Sequence, residues 1–161
     1  MRIGHICLAG EGDPDIERFA RLIEAISRHA VEQHVLVASH GLAQRLAKCA
    51  GVTVGPTVRS PLMAYCLMPN VDVAHVHDGK SGQAGLLLTL TRSIPFVMTA
   101  NDSAAADRSP LAVSVLNRAA YTVQSTDNVE PAGQEARRYL GIYAETVSAR
   151  LEFPEKSDCR H

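Results

Sequence analysis

Tryptophan is absent from this chain of 161 residues, and there are only three phenylalanines and four tyrosines. So few rings give no platform on which successive bases could stack, which argues against a single-stranded nucleic-acid surface. An excess of one charge is missing too, with sixteen Lys and Arg against seventeen Asp and Glu. No field of one sign is available to hold nucleic acid or an anionic bilayer. Cys7, Cys49, Cys66 and Cys159 are never closer than 17 positions apart. The absence of any C-x-x-C pair excludes a zinc ribbon or a dithiol redox motif. Cysteines scattered through apolar segments read as reduced and buried, the usage of a cytoplasmic protein. The longest apolar run, from Ala84 to Leu90, is broken by Thr89. It falls far short of the roughly 20 residues that span a bilayer, so no integral membrane segment is expected. The apolar start of the chain is too short for a signal peptide and meets Glu11 and Asp13 at once.

What is present is alternation. Short apolar runs follow one another with segments of helical period between them, the pattern of an α/β fold with a mostly parallel sheet. Strands are expected at Ile3–Ala9, His34–Ser39, Val52–Val54, Val71–His77, Phe96–Ala100 and Tyr121–Gln124, with a further one at Thr146–Ala149. Ile16, Phe19, Ile23 and Ile26 recur at spacings of three and four and mark one apolar helix face. Pro14, Pro61 and Pro110 open helices, where a missing N–H costs nothing. Further helices are expected over Leu42–Cys49, over Gly82–Thr91, and from Pro131 to Leu140 with Gly141 as the stop. No internal repeat or low-complexity linker interrupts the chain. The reading is a single Rossmann-like, doubly wound domain over residues 1–153, with helices on both faces, followed by a polar tail over 154–161 expected to be disordered.

Ligands of open α/β sheets sit beyond the carboxyl ends of the strands. The loops leaving that edge are Gly10–Asp13, His77–Gly82, Asn101–Ser103 and Ser125–Asn128. Gly10-Glu11-Gly12 has two glycines of the dinucleotide fingerprint, but the third is missing and Pro14 and Asp15 crowd the helix start. A plain strand-to-helix turn is the better reading. Gly79-Lys80-Ser81 resembles the end of a phosphate-binding loop, yet the earlier glycine falls on Ala74 inside a strand. Gly-x-Ser-x-Gly is absent, so a hydrolase triad has no support. His75-Val76-His77-Asp78 is the most specific cluster. Residues two apart on a strand share a face, so His75 and His77 could share a metal, with His5 or Asp102 as the third ligand. Sequence spacing places no third ligand, and the expectation is no metal and no cofactor. His77 reaches the strand end and is expected to act on ligands, while His75, one strand step back, is expected to act on stability.

In order and spacing these pieces resemble the N-terminal domain of GT-B glycosyltransferases, the retaining family-4-like group, from Met1 to about Phe153. The resemblance is carried by Met1-Arg2-Ile3, Ile16–Ile26 and His34–Ser39, then by Asn70–Asp78 with Ile94–Thr99, and then by Asn117–Ser125 with Arg138–Gly141. It implies an acceptor-side half of an enzyme that transfers a sugar from a nucleotide-sugar donor. It implies His77 as the catalytic histidine, hydrogen-bonding and positioning the donor sugar in an oxocarbenium-like transition state. The substrate-binding residues are then Gly10, Gly12, Asp78, Asn101, Asp102 and Ser125. The sequence departs from the family in several places. Pro14-Asp15 replaces a Gly-Gly pair, Asn101 stands where a histidine is common, and Ala30-Val31 replaces a Gly-His. The interdomain Pro-Asn-Gly survives only as Phe153-Pro154-Glu155-Lys156, and no donor-binding domain is present. The implied partners are a donor-binding chain or a second copy, with a nucleotide sugar or sugar acceptor as ligand. A non-catalytic binding module descended from such an enzyme is the alternative.

Overall fold

The computed structural model describes residues 1–100, 109–124 and 131–152. Six strands and six helices alternate among them: β1 (Arg2–Cys7), α1 (Pro14–Ile26), β2 (Glu32–Val37), α2 (His40–Leu46), β3 (Val52–Val54), α3 (Pro61–Leu67), β4 (Val73–Val76), α4 (Gly79–Arg92), β5 (Phe96–Ala100), α5 (Pro110–Arg118), β6 (Tyr121–Gln124) and α6 (Ala132–Glu152). The strands form one all-parallel sheet in the order β3-β2-β1-β4-β5-β6. This is the expected Rossmann-like α/β fold. The order reverses between β1 and β4, and the crevice at that switch point is where doubly wound sheets place ligands.

Each face of the sheet has its own core. On one side Ile6, Leu36, Ala74, Val76, Phe96 and Met98 meet α3, α4 and α5. The α4 helix lies close to the sheet because it carries glycines there. A Cβ on Gly85 would stand 2.7 Å from the Phe96 ring, and one on Gly82 would stand 2.7 Å from Val115 of α5. On the other side Ile3, Val73, Val97 and Val123 are covered by Leu22 and Ile26 of α1 and by Ala136, Tyr139, Ile142 and Tyr143 of α6. Because α3, α4 and α5 all lie on the first side, β4, β5 and β6 depend on α6 to cover their second face.

The path of α6 overturns two expectations. Thr146–Ala149 is helical rather than a strand, and the helix runs through Gly141 instead of stopping there. A mid-helix glycine costs about 1 kcal/mol. Burial of Tyr139, Ile142, Tyr143 and Thr146 along one continuous stripe outweighs that cost. Other boundaries move by a few residues. β4 is shorter than the expected Val71–His77, and α4 begins three residues before Gly82 because Asp78 caps it. Ser39 ends no strand; its side chain accepts the Leu42 amide and caps α2. The three described cysteines are free but not uniformly buried: Cys7 is buried, Cys49 is half-buried and Cys66 is exposed, while Cys159 lies outside the described residues. The 154–161 tail lies outside the described residues. No helix among the described residues is long and apolar enough to cross a membrane.

Candidate functional site

The two strands at the switch point bring three histidines together. Side chains alternate along a strand, so Ile3, His5 and Cys7 of β1 face α1 and α6. His5 is in register with His75 of β4. His77 lies just past β4, and its amide still donates to the Ile6 carbonyl at 3.0 Å, which keeps its ring on the same face. The His75 and His77 ring centroids are 3.7 Å apart, and those of His5 and His77 are 5.5 Å apart. Phe19 of α1 meets His77 edge to face at 4.5 Å. His5 and His75 are fully buried and His77 is 7% exposed. His77 is therefore covered much as His75 is, and the expected contrast between an inner and an outer histidine is smaller than the strand positions suggested.

Hydrogen bonds close the chamber. His5 Nδ1 and His77 Nε2 share one at 3.2 Å. His75 uses both nitrogens, Nδ1 with the Tyr143 hydroxyl at 2.6 Å and Nε2 with Thr99 Oγ1 at 2.8 Å. Thr99 continues to the Tyr139 hydroxyl at 2.9 Å. His5 Nε2 is buried with no hydrogen-bond partner among the described residues. Burial lowers the His5 pKa to about 3. Burial, and then neighbouring His5, holds His75 well below its ordinary value. His77 is lowered by burial first, then by His75, His5 and Arg18. Burial raises both tyrosines. At neutral pH the cluster is a set of uncharged rings and hydroxyls.

Above it, Arg18 of α1 donates Nε and Nη2 to Glu135 Oε1 of α6 at 3.0 and 2.8 Å. Beneath this ion pair a cavity of about 20 Å³ reaches His77, Thr99 and Tyr139. That is enough for about one water molecule.

An open crevice of about 720 Å³ lies over the carboxyl ends of β1 and β2, toward α3 and α4. Leu8, Gly10, Ala38 and His40 line it, Arg59 and Lys80 bring two cations to it, and Glu11 brings one carboxylate. Of the expected substrate-binding residues, Gly10 borders this space. Gly12 sits in the β1–α1 turn at φ +90°, a conformation that favours glycine. Asp78 lies at the junction of crevice and sheet, with both carboxylate oxygens engaged. Oδ1 accepts the Ser81 amide at 2.8 Å and Oδ2 accepts the Leu8 amide at 2.6 Å, tying the end of β1 to the start of α4. Asn101, Asp102 and Ser125 lie outside the described residues. A shallow groove of about 600 Å³ beside Arg2, Glu32 and Asp72 is at the amino ends of the strands, the edge this fold does not use for ligands.

The start of α1 offers little to a phosphate. Pro14 has no N–H, the Asp15 amide is taken by Asp13 Oδ1 at 3.0 Å, and the Ile16 amide goes to the Asp13 carbonyl at 3.1 Å. Buried Cys7 is no nucleophile, since burial and then Asp78 push its thiol up to about 12. Sequence reasoning named His5 only as one of two possible third ligands, and it missed Thr99, Tyr139, Tyr143 and Arg59. The tyrosines had a signal, because their spacing of four puts both on one helix face. Arg59 had none, because its place in the lining of the crevice depends on how the segment after β3 folds back. The chain matches no protein-family model and has no significant similarity to a curated protein.

Proposed function

We propose that the chain is the acceptor-side half of a GT-B-type glycosyltransferase, with the crevice over β1 and β2 taking a polar, anion-bearing sugar acceptor. The observation that carries this reading is that Arg59 and Lys80 both line a 720 Å³ space, against one acid, Glu11, at the carboxyl edge of a β3-β2-β1-β4-β5-β6 sheet. Two cations in a concave site suit a phosphate or carboxylate on a sugar. The donor-binding half of such an enzyme lies outside these 161 residues. His77 serves the transferred sugar only if Phe19 and the Arg18–Glu135 pair move aside, so the chain alone turns over no nucleotide sugar.

A second reading is a non-catalytic binding module that keeps the crevice and has lost the chemistry. It is favoured by the covered His77 and by the spent amides at the start of α1. Titration of ¹⁵N-labelled protein with sugar phosphates, neutral oligosaccharides and nucleotide sugars separates the readings. Under the first, sugar phosphates shift resonances around Lys80 and Arg59, Lys80→Ala weakens the response about tenfold, consistent with a lost charge-assisted contact, and no sugar is transferred. Shifts there from nucleotide sugars alone favour the second reading. No response at the crevice from any of the three overturns both.

A further inference from the structure

We propose that His5, His75 and His77 form a binding site for a zinc-class divalent metal ion, with three imidazole ligands and a water in the fourth position. From each residue one ring nitrogen can be chosen so that all three lie within 4.8 Å of one another. Two ligands held at 2.0–2.1 Å from a tetrahedral ion are about 3.3 Å apart. His5 Nδ1 and His77 Nε2, at 3.2 Å, are already at that spacing. Side-chain rotation of His75 brings in the third nitrogen.

Sequence spacing alone places no third ligand, and the resembled glycosyltransferases need no metal in this domain, so the expectation from sequence is no metal. Strand pairing supplies the third ligand, because His5 is in register with His75 across the switch point. His5 Nδ1, the nitrogen at ligand spacing from His77 Nε2, is fully buried and points into the cluster. Neutral imidazole is the form that binds metal, and burial holds all three rings neutral. His75 has what a ligating histidine requires behind it. It keeps one of its contacts, to Tyr143 or to Thr99, as the hydrogen bond that fixes the ring, and it turns the other nitrogen to the ion. The small cavity bordering His77 has room for about one water. Three nitrogens without a carboxylate suit zinc over magnesium or calcium, which take oxygen ligands. The site is separate from the crevice and does not rest on the sugar-binding reading, but it takes His77; a metal-bound His77 leaves the crevice reading intact and removes the catalytic histidine from it.

The test uses the full chain, stripped with chelator and then given zinc sulfate. Gel-filtered protein is expected to retain about one equivalent of zinc per chain. Its melting temperature should rise by roughly 5–10 °C when free zinc is about a hundredfold above Kd. Cobalt(II) in place of zinc should give the intense visible absorption of a four-coordinate nitrogen site. His5→Gln should abolish retention. Folded wild-type protein that keeps only a small fraction of an equivalent overturns the proposal, and so does a His5→Gln variant that binds zinc as wild type does. If that variant does not fold, the cobalt spectrum of wild type decides: a pale, six-coordinate spectrum means the ion sits on surface histidines and the site is wrong.

Discussion

The two faces of the sheet have divided what an active site normally combines. On the α1 and α6 side are the chemically capable groups, three histidines, two tyrosines and a threonine, packed and hydrogen-bonded with space for about one water. On the α3 and α4 side is space, about 720 Å³ with two cations at its rim, but little chemistry. Asp78 stands between them and holds both together through the Leu8 and Ser81 amides. Burial makes the difference. The same strand pair that lines up the histidines puts them under α6, and a buried imidazole gives up its charge and much of its use as an acid or base. The crevice stays wet and keeps its charges.

Acid should expose this contrast most strongly. The three chamber histidines have folded-state pKa values below the ordinary 6.5, by burial. The unfolded chain therefore binds protons that the folded chain refuses. Stability is present above pH 6.5 and is lost as pH falls through that value toward the folded pKa, which for His5 is about 3. Each such histidine contributes up to about 1.4 kcal/mol per pH unit in that window. Chelator-treated protein should thus lose several kcal/mol between neutral pH and about pH 5, read from urea melts. A flat profile would mean the rings protonate in place.

Single substitutions should show a smaller effect of the same kind. His75→Ala leaves Tyr143 and Thr99 without their partner in a dry core, and is expected to cost about 2–4 kcal/mol. Lys80→Ala, on the exposed first turn of α4, should change stability by no more than about 0.5 kcal/mol. Equal losses from the two would erase the distinction between closed and open regions.

The layout of strands and helices was legible because parallel strands are apolar runs between helices of period 3.6, and here both signals were clean from Ile3 to Gln124. The exception was α6. Gly141 has the look of a helix stop, and the β-branched residues Thr146 and Val147 have the look of a strand, but the stripe of Tyr139, Ile142, Tyr143 and Thr146 needed the uncovered half of the sheet to give it meaning. The site was legible only in part. His75 and His77 are two apart on a strand and announce a shared face. His5 is 70 residues away, and only the β1–β4 register brings it beside them. The burial of His77 depends on Phe19 and on the Arg18–Glu135 pair, a contact between the first and last helices that no local spacing encodes.

The division between a closed, neutral chamber and an open crevice is tested most directly by ¹⁵N spectra of the imidazoles in folded, metal-free protein, taken from neutral pH down to about pH 5.5. The expected result is that His5, His75 and His77 each remain a single neutral tautomer across that range. A proton taken up by any of the three with a midpoint near the ordinary histidine value, while the fold persists, would show that the chamber tolerates a charged ring and would contradict the account.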